Sequence, residues 1–309
     1  LGMAYRRLST IEDEARNLEL AISYYWRSLR IKSISEYDAA STYTNIAIAY
    51  RMLSVLEKNE SYLEKAKIAL DKSAEVRTLE AHPYEHATTM YELGLTLLCE
   101  YDFTKDKENL ISAISYLSKA NSMFKDFMEK DLGDTLFFPV QDYTFSSYFL
   151  GKAYAKLSQE RDRAENLNTS REYFSKVLKY IPRDEYPENY ADAAFELGNT
   201  LFDLYTINGS KDDLLSAIGQ YEESKSVFTL KKHPFRYASI IDEMGKAYLN
   251  LAKESNLDTH INTAIWLFDE SYNILLDLDS PVKEEVLQNY KEAKEYYDQK
   301  FKGGGLIYA

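Results

Sequence analysis

Residues 244–248 read Met244-Gly245-Lys246-Ala247-Tyr248, and Ala264 follows nineteen residues after the glycine. The same pattern recurs along the chain: a small residue, an aromatic residue or leucine three positions later, and Ala or Ser nineteen positions later. The recurrence predicts one repeat of about 47 residues. The first small residues of the six copies are Gly2, Ala47, Gly94, Gly151, Gly198 and Gly245.

Apolar residues inside each copy are spaced by three and four, as between Ala264 and Ile274. This is the period of an amphipathic helix, so each copy is predicted to be a pair of helices. A period of roughly 20–50 residues built from helix pairs is typical of an α-solenoid, in which each repeat buries its apolar face against its neighbours. The predicted fold class is therefore all-α: an α-α superhelical solenoid of about six helix pairs with a C-terminal capping helix.

Proline marks the predicted helix starts, because a residue without a backbone N–H is tolerated in the first turn of a helix. Pro83, Pro187 and Pro234 lie at matching places in the repeats, and Pro281 is predicted to begin the capping helix over 281–301. We predict one continuous array over residues 1–301. Its repeats start near residues 1, 37, 83, 139, 187 and 234.

The small residues have a predicted packing role. Gly or Ala at this position allows the first helix of a pair to approach the second closely. We expect the alanine nineteen residues later, such as Ala264 for Gly245, to fill the facing gap.

Two segments fall outside the regular pattern. The third copy is ten residues longer than the others, with the addition around residues 124–139. Its apolar residues, which include Leu136 and Val140, are predicted either to cover neighbouring helices or to form a docking epitope. Residues 302–309 are predicted to be a Gly-rich tail, or a linker to a further domain. The chain begins within a first helix, which indicates a piece of a longer protein.

The pattern Leu-Gly-x-x-Tyr followed by Ala resembles the tetratricopeptide repeat, or TPR. The distance from Gly to Ala is longer here than in standard TPR units, by about two helical turns or an equivalent loop. Residues 13–22, 161–167 and 191–199 resemble the long TPR arrays found ahead of CHAT domains, which are caspase-like proteases. The resemblance implies a helical array that binds a protein or peptide ligand along the first helices of its repeats.

Composition restricts the class of partner and the location. The net charge of −13 and the pI of about 5.0 disfavour nucleic acid as a partner. No apolar run in the sequence is long enough to span a membrane, and no signal peptide opens it. The single cysteine, Cys99, predicts a reducing, cytoplasmic location, and its apolar surroundings predict an inert thiol.

We predict that the chain is not an enzyme, with no catalytic residue, cofactor or metal. His82 and His86 are four residues apart, which is a spacing used by metal ligands on one helix face. His82, however, precedes the proline that starts the helix, and His233-Pro234 repeats the same arrangement. These histidines are therefore predicted to serve helix starts. The sequence has no phosphate-binding glycine loop, nucleophile elbow or Cys-x-x-Cys pair.

The resemblance to TPR proteins implies a concave groove lined by the first helices. Aromatic residues are predicted to anchor a partner there. Lys152, Lys156 and Asn199 are predicted to receive a carboxylate or backbone carbonyls. The competing interpretation is that the aromatic residues pack between repeats. The predicted partner-binding residues are Arg51, Tyr91, Phe145, Tyr148, Lys152, Lys156, Phe195, Asn199, Phe202 and Lys246.

The predicted function is a non-enzymatic scaffold that binds a protein or peptide in this groove. An alternative is the regulatory TPR region of a CHAT-type protease whose catalytic domain is absent from this chain. A third possibility, a peptide-sensing transcriptional regulator, lacks a helix-turn-helix and a basic face in this sequence.

Overall fold

The structure is a computed structural model that describes residues 1–10, 12–130, 137–255 and 257–302. Thirteen α-helices and a π-helical turn account for most of these residues, and none of them lies in a strand. The predicted all-α class is confirmed. The helices are α1 Gly2–Leu8, α2 Glu14–Ser28, α3 Glu36–Leu56, α4 Ser61–Val76, α5 Pro83–Thr104, α6 Lys107–Lys130, α7 Phe137–Ser158, α8 Arg163–Tyr180, α9 Pro187–Asn208, α10 Lys211–Lys225, α11 Pro234–Ser255, α12 Asp258–Asp277 and α13 Lys283–Tyr297, and the π-helical turn is Asp298–Lys302.

The chain divides into two compact units, Leu1–Glu160 and Arg161–Ala309. Within the first unit each helix from α1 to α7 packs against the next, and α5 also contacts both α3 and α7. Within the second unit α8 packs against α9, and the later helices follow in order to α13. This sequential packing confirms a helical solenoid within each unit. We call the odd-numbered helices A helices and the even-numbered ones B helices.

The helix starts follow local chemistry. Pro83 is the first residue of α5, and Pro187 and Pro234 begin α9 and α11. The hydroxyl of Ser35 caps α3 by accepting a hydrogen bond from the backbone N–H of Asp38. Helix α13 begins at Lys283, two residues after the proline that was predicted to start it, because residues 281 and 282 form a turn.

A bulky side chain of the B helix lies over Gly2, Gly94, Gly198 and Gly245. A Cβ atom added to Gly245 would lie 2.6 Å from Cε1 of Phe268, and one added to Gly198 would lie 2.6 Å from Cε1 of Tyr221. The expectation that Ala264 fills the gap over Gly245 is therefore wrong. The ring one helical turn later on the same face reaches the glycine first. The equivalent residues of the six repeats are Tyr25, Leu70, Leu117, Phe174, Tyr221 and Phe268, and all are buried.

The long third repeat extends its B helix. Helix α6 has 24 residues, whereas the other B helices have 15 to 20. Phe124 lies on this helix with 1 % of its surface exposed. Of the predicted docking epitope, Leu136 lies outside the described residues, whereas Val140 is half-buried in the first turn of α7. Residues 303–309 of the predicted tail also lie outside the described residues.

Candidate functional site

Three consecutive A helices of the first unit surround an open cavity. Helices α3, α5 and α7 lie side by side, and the end of α1 and the start of α2 close one edge. The cavity volume is about 420 Å³. The lining residues are Ser9, Glu14, Leu18, Arg51, Met52, Val55, Leu56, Leu95, Leu98, Cys99, Asp102, Phe149, Lys152 and Lys156.

One side of the cavity is apolar. Leu95 and Leu98 of α5 are buried at 6 % and 5 % exposure. Val55 and Leu56 of α3 remain 60 % and 40 % exposed. An exposed valine and leucine beside a buried leucine floor leave apolar area that a partner can cover.

The other side carries paired charges. Nζ of Lys156 on α7 lies 2.6 Å from Oδ1 of Asp102 on α5. A second lysine, Lys105, lies 4.0 Å from the same carboxylate oxygen. Nζ of Lys152 lies 5.6 Å from the centre of the Tyr148 ring, within the range of a cation–π contact.

Arg51 joins α3 to α5 at the edge of the cavity. Its Nη2 donates to Oε2 of Glu92 at 2.7 Å, and Glu92 is buried. A charge-assisted hydrogen bond of this length to a buried carboxylate holds the guanidinium in place. Arg51 therefore supports the wall of the cavity and is already engaged inside the chain.

Three of the ten predicted partner-binding residues line the cavity: Arg51, Lys152 and Lys156. Tyr148 lies directly beside them, with its ring edge-on to Phe149 at 5.3 Å. Arg51 lies on α3 and the other three lie on α7, at least 97 residues later in the sequence (148 − 51 = 97).

Two other predicted aromatic residues of the first unit are packed within it. Tyr91 makes edge-to-face contacts with Phe124 of α6 and with Phe149 of α7, at 6.4 and 6.2 Å between ring centres. Burial raises the pKa of the Tyr91 hydroxyl. Phe145 is half-buried on α7. The contacts of Tyr91 therefore fit the competing interpretation, in which the aromatic residues pack between repeats.

The remaining four predicted residues belong to the second unit and do not line this cavity. Phe195 and Asn199 of α9 both contact Tyr221 of α10, whose hydroxyl donates to Oδ1 of Asn199 at 3.0 Å. Phe202 contacts the neighbouring Tyr205, with 6.1 Å between ring centres.

Lys246, the fourth, is surrounded by carboxylates. Its Nζ lies 2.9 Å from Glu243, 3.0 Å from Asp242 and 3.4 Å from Glu285. Burial opposes the charge of Lys246, but the carboxylates of Glu243 and Asp242 outweigh it and raise the pKa of the lysine. Burial also raises the pKa of Glu243. Lys246 thus ties α11 to α13.

The sequence interpretation missed several lining residues. Val55, Cys99 and Asp102 are among them, and Val55 lies four residues after Arg51, one of the predicted partner-binding residues. Residues four apart share one face of a helix, so this spacing was the available signal. Phe149 carries the same signal, because it lies four residues after Phe145, another of the predicted partner-binding residues.

The two spaced histidines have partners within the protein. Nδ1 of His86 lies 2.8 Å from the carbonyl oxygen of Arg77, and the ring of His82 lies 5.1 Å from that of Tyr37. Over residues 1–10, 12–130, 137–255 and 257–302, no three metal-binding side chains are grouped as an ion would require. None of the helices in these ranges is both long enough and apolar enough to cross a membrane.

Cys99, the single cysteine of the chain, lines the cavity, and the pH dependence of its alkylation can be predicted. Burial raises the pKa of the Cys99 thiol, and Sγ lies 3.7 Å from Oγ of Ser54. Because the thiolate is the reactive form, alkylation by neutral iodoacetamide is expected to reach half its maximal rate at a higher pH than in the urea-unfolded chain. Rates followed by mass spectrometry over a pH series test this. Identical pH midpoints for the two states would contradict it.

No protein-family model matches the sequence, and no curated protein matches it. Solved structures of similar fold include BtubC (BKLC) from P. vanneervenii, with a TM-score of 0.56 and 13% identity over 86% of this chain and 91% of that chain. They also include a signal transduction ATPase with numerous domains from Pyrococcus horikoshii that has a tetratricopeptide-repeat sensor. That likeness has a TM-score of 0.54 and 15% identity, over 96% of this chain and 42% of that chain.

This chain therefore spans about two fifths of the Pyrococcus horikoshii protein. At such low identity the likeness concerns the fold alone, and it shows that the helical repeats resemble those of a TPR protein. The closer resemblance to CHAT-associated arrays, the role as a protease regulator and the cytoplasmic location stay predictions.

Proposed function

We propose that the chain is a non-enzymatic scaffold that binds a segment of a partner protein in the cavity of its first unit. The observation that carries the proposal is the convergence of α3, α5 and α7 on one open cavity with an apolar floor and a polar edge. A buried apolar centre with a polar rim is the usual composition of a protein-binding patch. The TPR-like fold is compatible with this use.

The physical basis of binding in this proposal is the covering of exposed apolar area. Val55 and Leu56 are the most exposed apolar side chains of the cavity described above, and a partner that covers them removes that area from water. The floor residues Leu95 and Leu98 belong to a packed core and give the site a fixed shape. A preformed site of this kind reduces the entropy cost of association.

The proposal predicts loss of binding when charges are placed on the apolar side. The double variant Val55→Glu with Leu56→Glu is expected to weaken partner capture by at least about tenfold, because two carboxylates must be desolvated at the contact. Both positions are exposed, so the fold is expected to remain intact. Affinity capture from source-cell lysate, with mass spectrometry of the bound proteins, makes the comparison.

The matched control is Ile68→Glu, which changes an apolar residue with 50 % exposure on the B helix α4, away from the cavity. It is expected to retain the partner. Circular dichroism establishes that each variant is folded. If the double variant captures the same proteins as the parent chain, the cavity is not the binding site.

A further inference from the structure

The cations around the cavity are already partnered inside the chain. Arg51 is bonded to Glu92, Lys156 to Asp102, and Lys152 lies over the Tyr148 ring. A ligand carboxylate would have to compete with protein carboxylates that are held in place. The net charge of −13 adds long-range repulsion to an acidic ligand. The charged groups therefore offer little net attraction to an anion.

A cationic ligand meets the converse difficulty. Asp102 has two lysine neighbours, Lys156 at 2.6 Å and Lys105 at 4.0 Å, and Glu92 is occupied by Arg51. Asp102 and Glu92, the two carboxylates of α5 at the cavity, are thus neutralised by the protein, whereas Glu14 at the start of α2 is exposed to water. Charge complementarity points to an occupant with no net charge at its contact surface.

We propose that this cavity selects its partner through uncharged apolar side chains of the partner, which insert between α3 and α7, and not through a carboxylate or a basic group. This proposal rests on the proposed function. The occupant is a partner-protein segment that presents Leu-, Met- or Phe-sized side chains to Val55, Leu56 and Leu98. This reverses the expectation from sequence that Lys152 and Lys156 receive a carboxylate. The paired charges keep the edge of the cavity hydrated, and they disfavour the binding of charged protein segments.

Cys99 serves as a native sensor of this preference, because it lines the cavity and is the only cysteine of the chain. We would measure its rate of modification by three methanethiosulfonates that carry a benzyl, a sulfonatoethyl or a trimethylammonioethyl group. Each reagent forms a disulfide with the thiolate and releases methanesulfinate. Dividing each rate by that of the urea-unfolded chain at the same pH removes the intrinsic reactivity of each reagent, and the effect of the folded-state thiol pKa is the same factor for all three.

The normalised rate with the apolar benzyl reagent is expected to exceed those of both charged reagents by at least about fivefold, because only the apolar group is concentrated in the cavity. Val55→Asn is expected to reduce this preference, and Ile68→Asn on α4 to leave it unchanged. A preference for the anionic or the cationic reagent would overturn the proposal. So would equal normalised rates, or a thiol that reacts with none of the three.

The variant Asp102→Asn provides a second test, in which the rate of the anionic reagent is expected to rise. Removing this carboxylate leaves Lys105 and Lys156 without their shared partner, and the normalised rate of the anionic reagent is expected to rise about threefold or more. Asp126→Asn on α6 makes the same change of charge at an exposed site outside the cavity and is expected to have no such effect. An unchanged anionic rate in the Asp102 variant would show that the charge pairs do not control access.

The two proposals fail separately. If the Val55/Leu56 variant loses its partner but Cys99 prefers the anionic reagent, the cavity binds protein and the proposed apolar selection is wrong. If capture is insensitive to that variant, the cavity is not the binding site. Capture in about 0.05 M and about 0.3 M salt adds a readout on the natural partner: the amount bound is expected to change less than about twofold.

Discussion

Truncation of Phe268 to alanine is expected to lower the free energy of unfolding by about 3–5 kcal/mol, the largest single effect predicted for this protein. The ring is fully buried, and it belongs to a core cluster with Leu249, Ile261 and Leu275. It also covers the backbone at Gly245. Removing the ring takes away its contacts on both helices, and neighbours held in a helix pair collapse only partly into the space.

The matched control for Phe268→Ala lies on the same helix. Trp266→Ala removes a larger side chain that is 58 % exposed, and its effect is expected to be about 0.5 kcal/mol or less. Urea unfolding followed by circular dichroism compares the two, since a fluorescence readout would lose one of the two tryptophans of the chain. Similar losses for both variants would mean that Phe268 is not a core residue.

Replacement of Gly245 by alanine is expected to destabilise the protein by about 1–3 kcal/mol, although alanine is the better helix former. The added Cβ would lie 2.6 Å from Cε1 and 2.8 Å from Cδ1 of Phe268. No atoms approach so closely without displacement, and the ring has packed neighbours behind it. The helices α11 and α12 must therefore move apart, and this costs more than the helix propensity returns.

Gly219→Ala provides the comparison of opposite sign. Gly219 also lies inside a helix, α10, but a Cβ there meets no atom within 4 Å. This variant is expected to gain about 0.4–1 kcal/mol. In the Phe268→Ala background the cost of Gly245→Ala should disappear, because the atoms that it strikes are gone. A stabilising Gly245→Ala in the parent chain would show that close helix approach is not required there.

These variants also show which features of the fold can be predicted from local sequence. The repeat period, the helix class and the starts at Pro83, Pro187 and Pro234 were predictable, because each depends on side chains within a few residues. The small-residue positions were predictable for the same reason. The identity of the residue over Gly245 was not, because Ala264 and Phe268 share one face of the B helix. Only the distance between the helices shows that the ring reaches the glycine.

In the candidate site, too, some features were predictable from the sequence and others were not. The resemblance to TPR proteins implied that Arg51, Lys152 and Lys156 share the groove side of the A helices, and these three residues do line one cavity. Spacing did not indicate that Lys156 pairs with Asp102, 54 residues earlier in the chain. It also did not distinguish Tyr91, packed against Phe124, from a ring that faces a ligand.

The sequence by itself therefore determined a helical repeat protein and the faces of its helices, because periodicity and helix-start chemistry act over one or two turns. The tertiary structure alone decided which side chain covers each glycine and which charges neutralise one another. It also decided that the open cavity is mainly apolar. Those outcomes depend on how helices far apart in sequence approach each other, and no local pattern of residues encodes these distances.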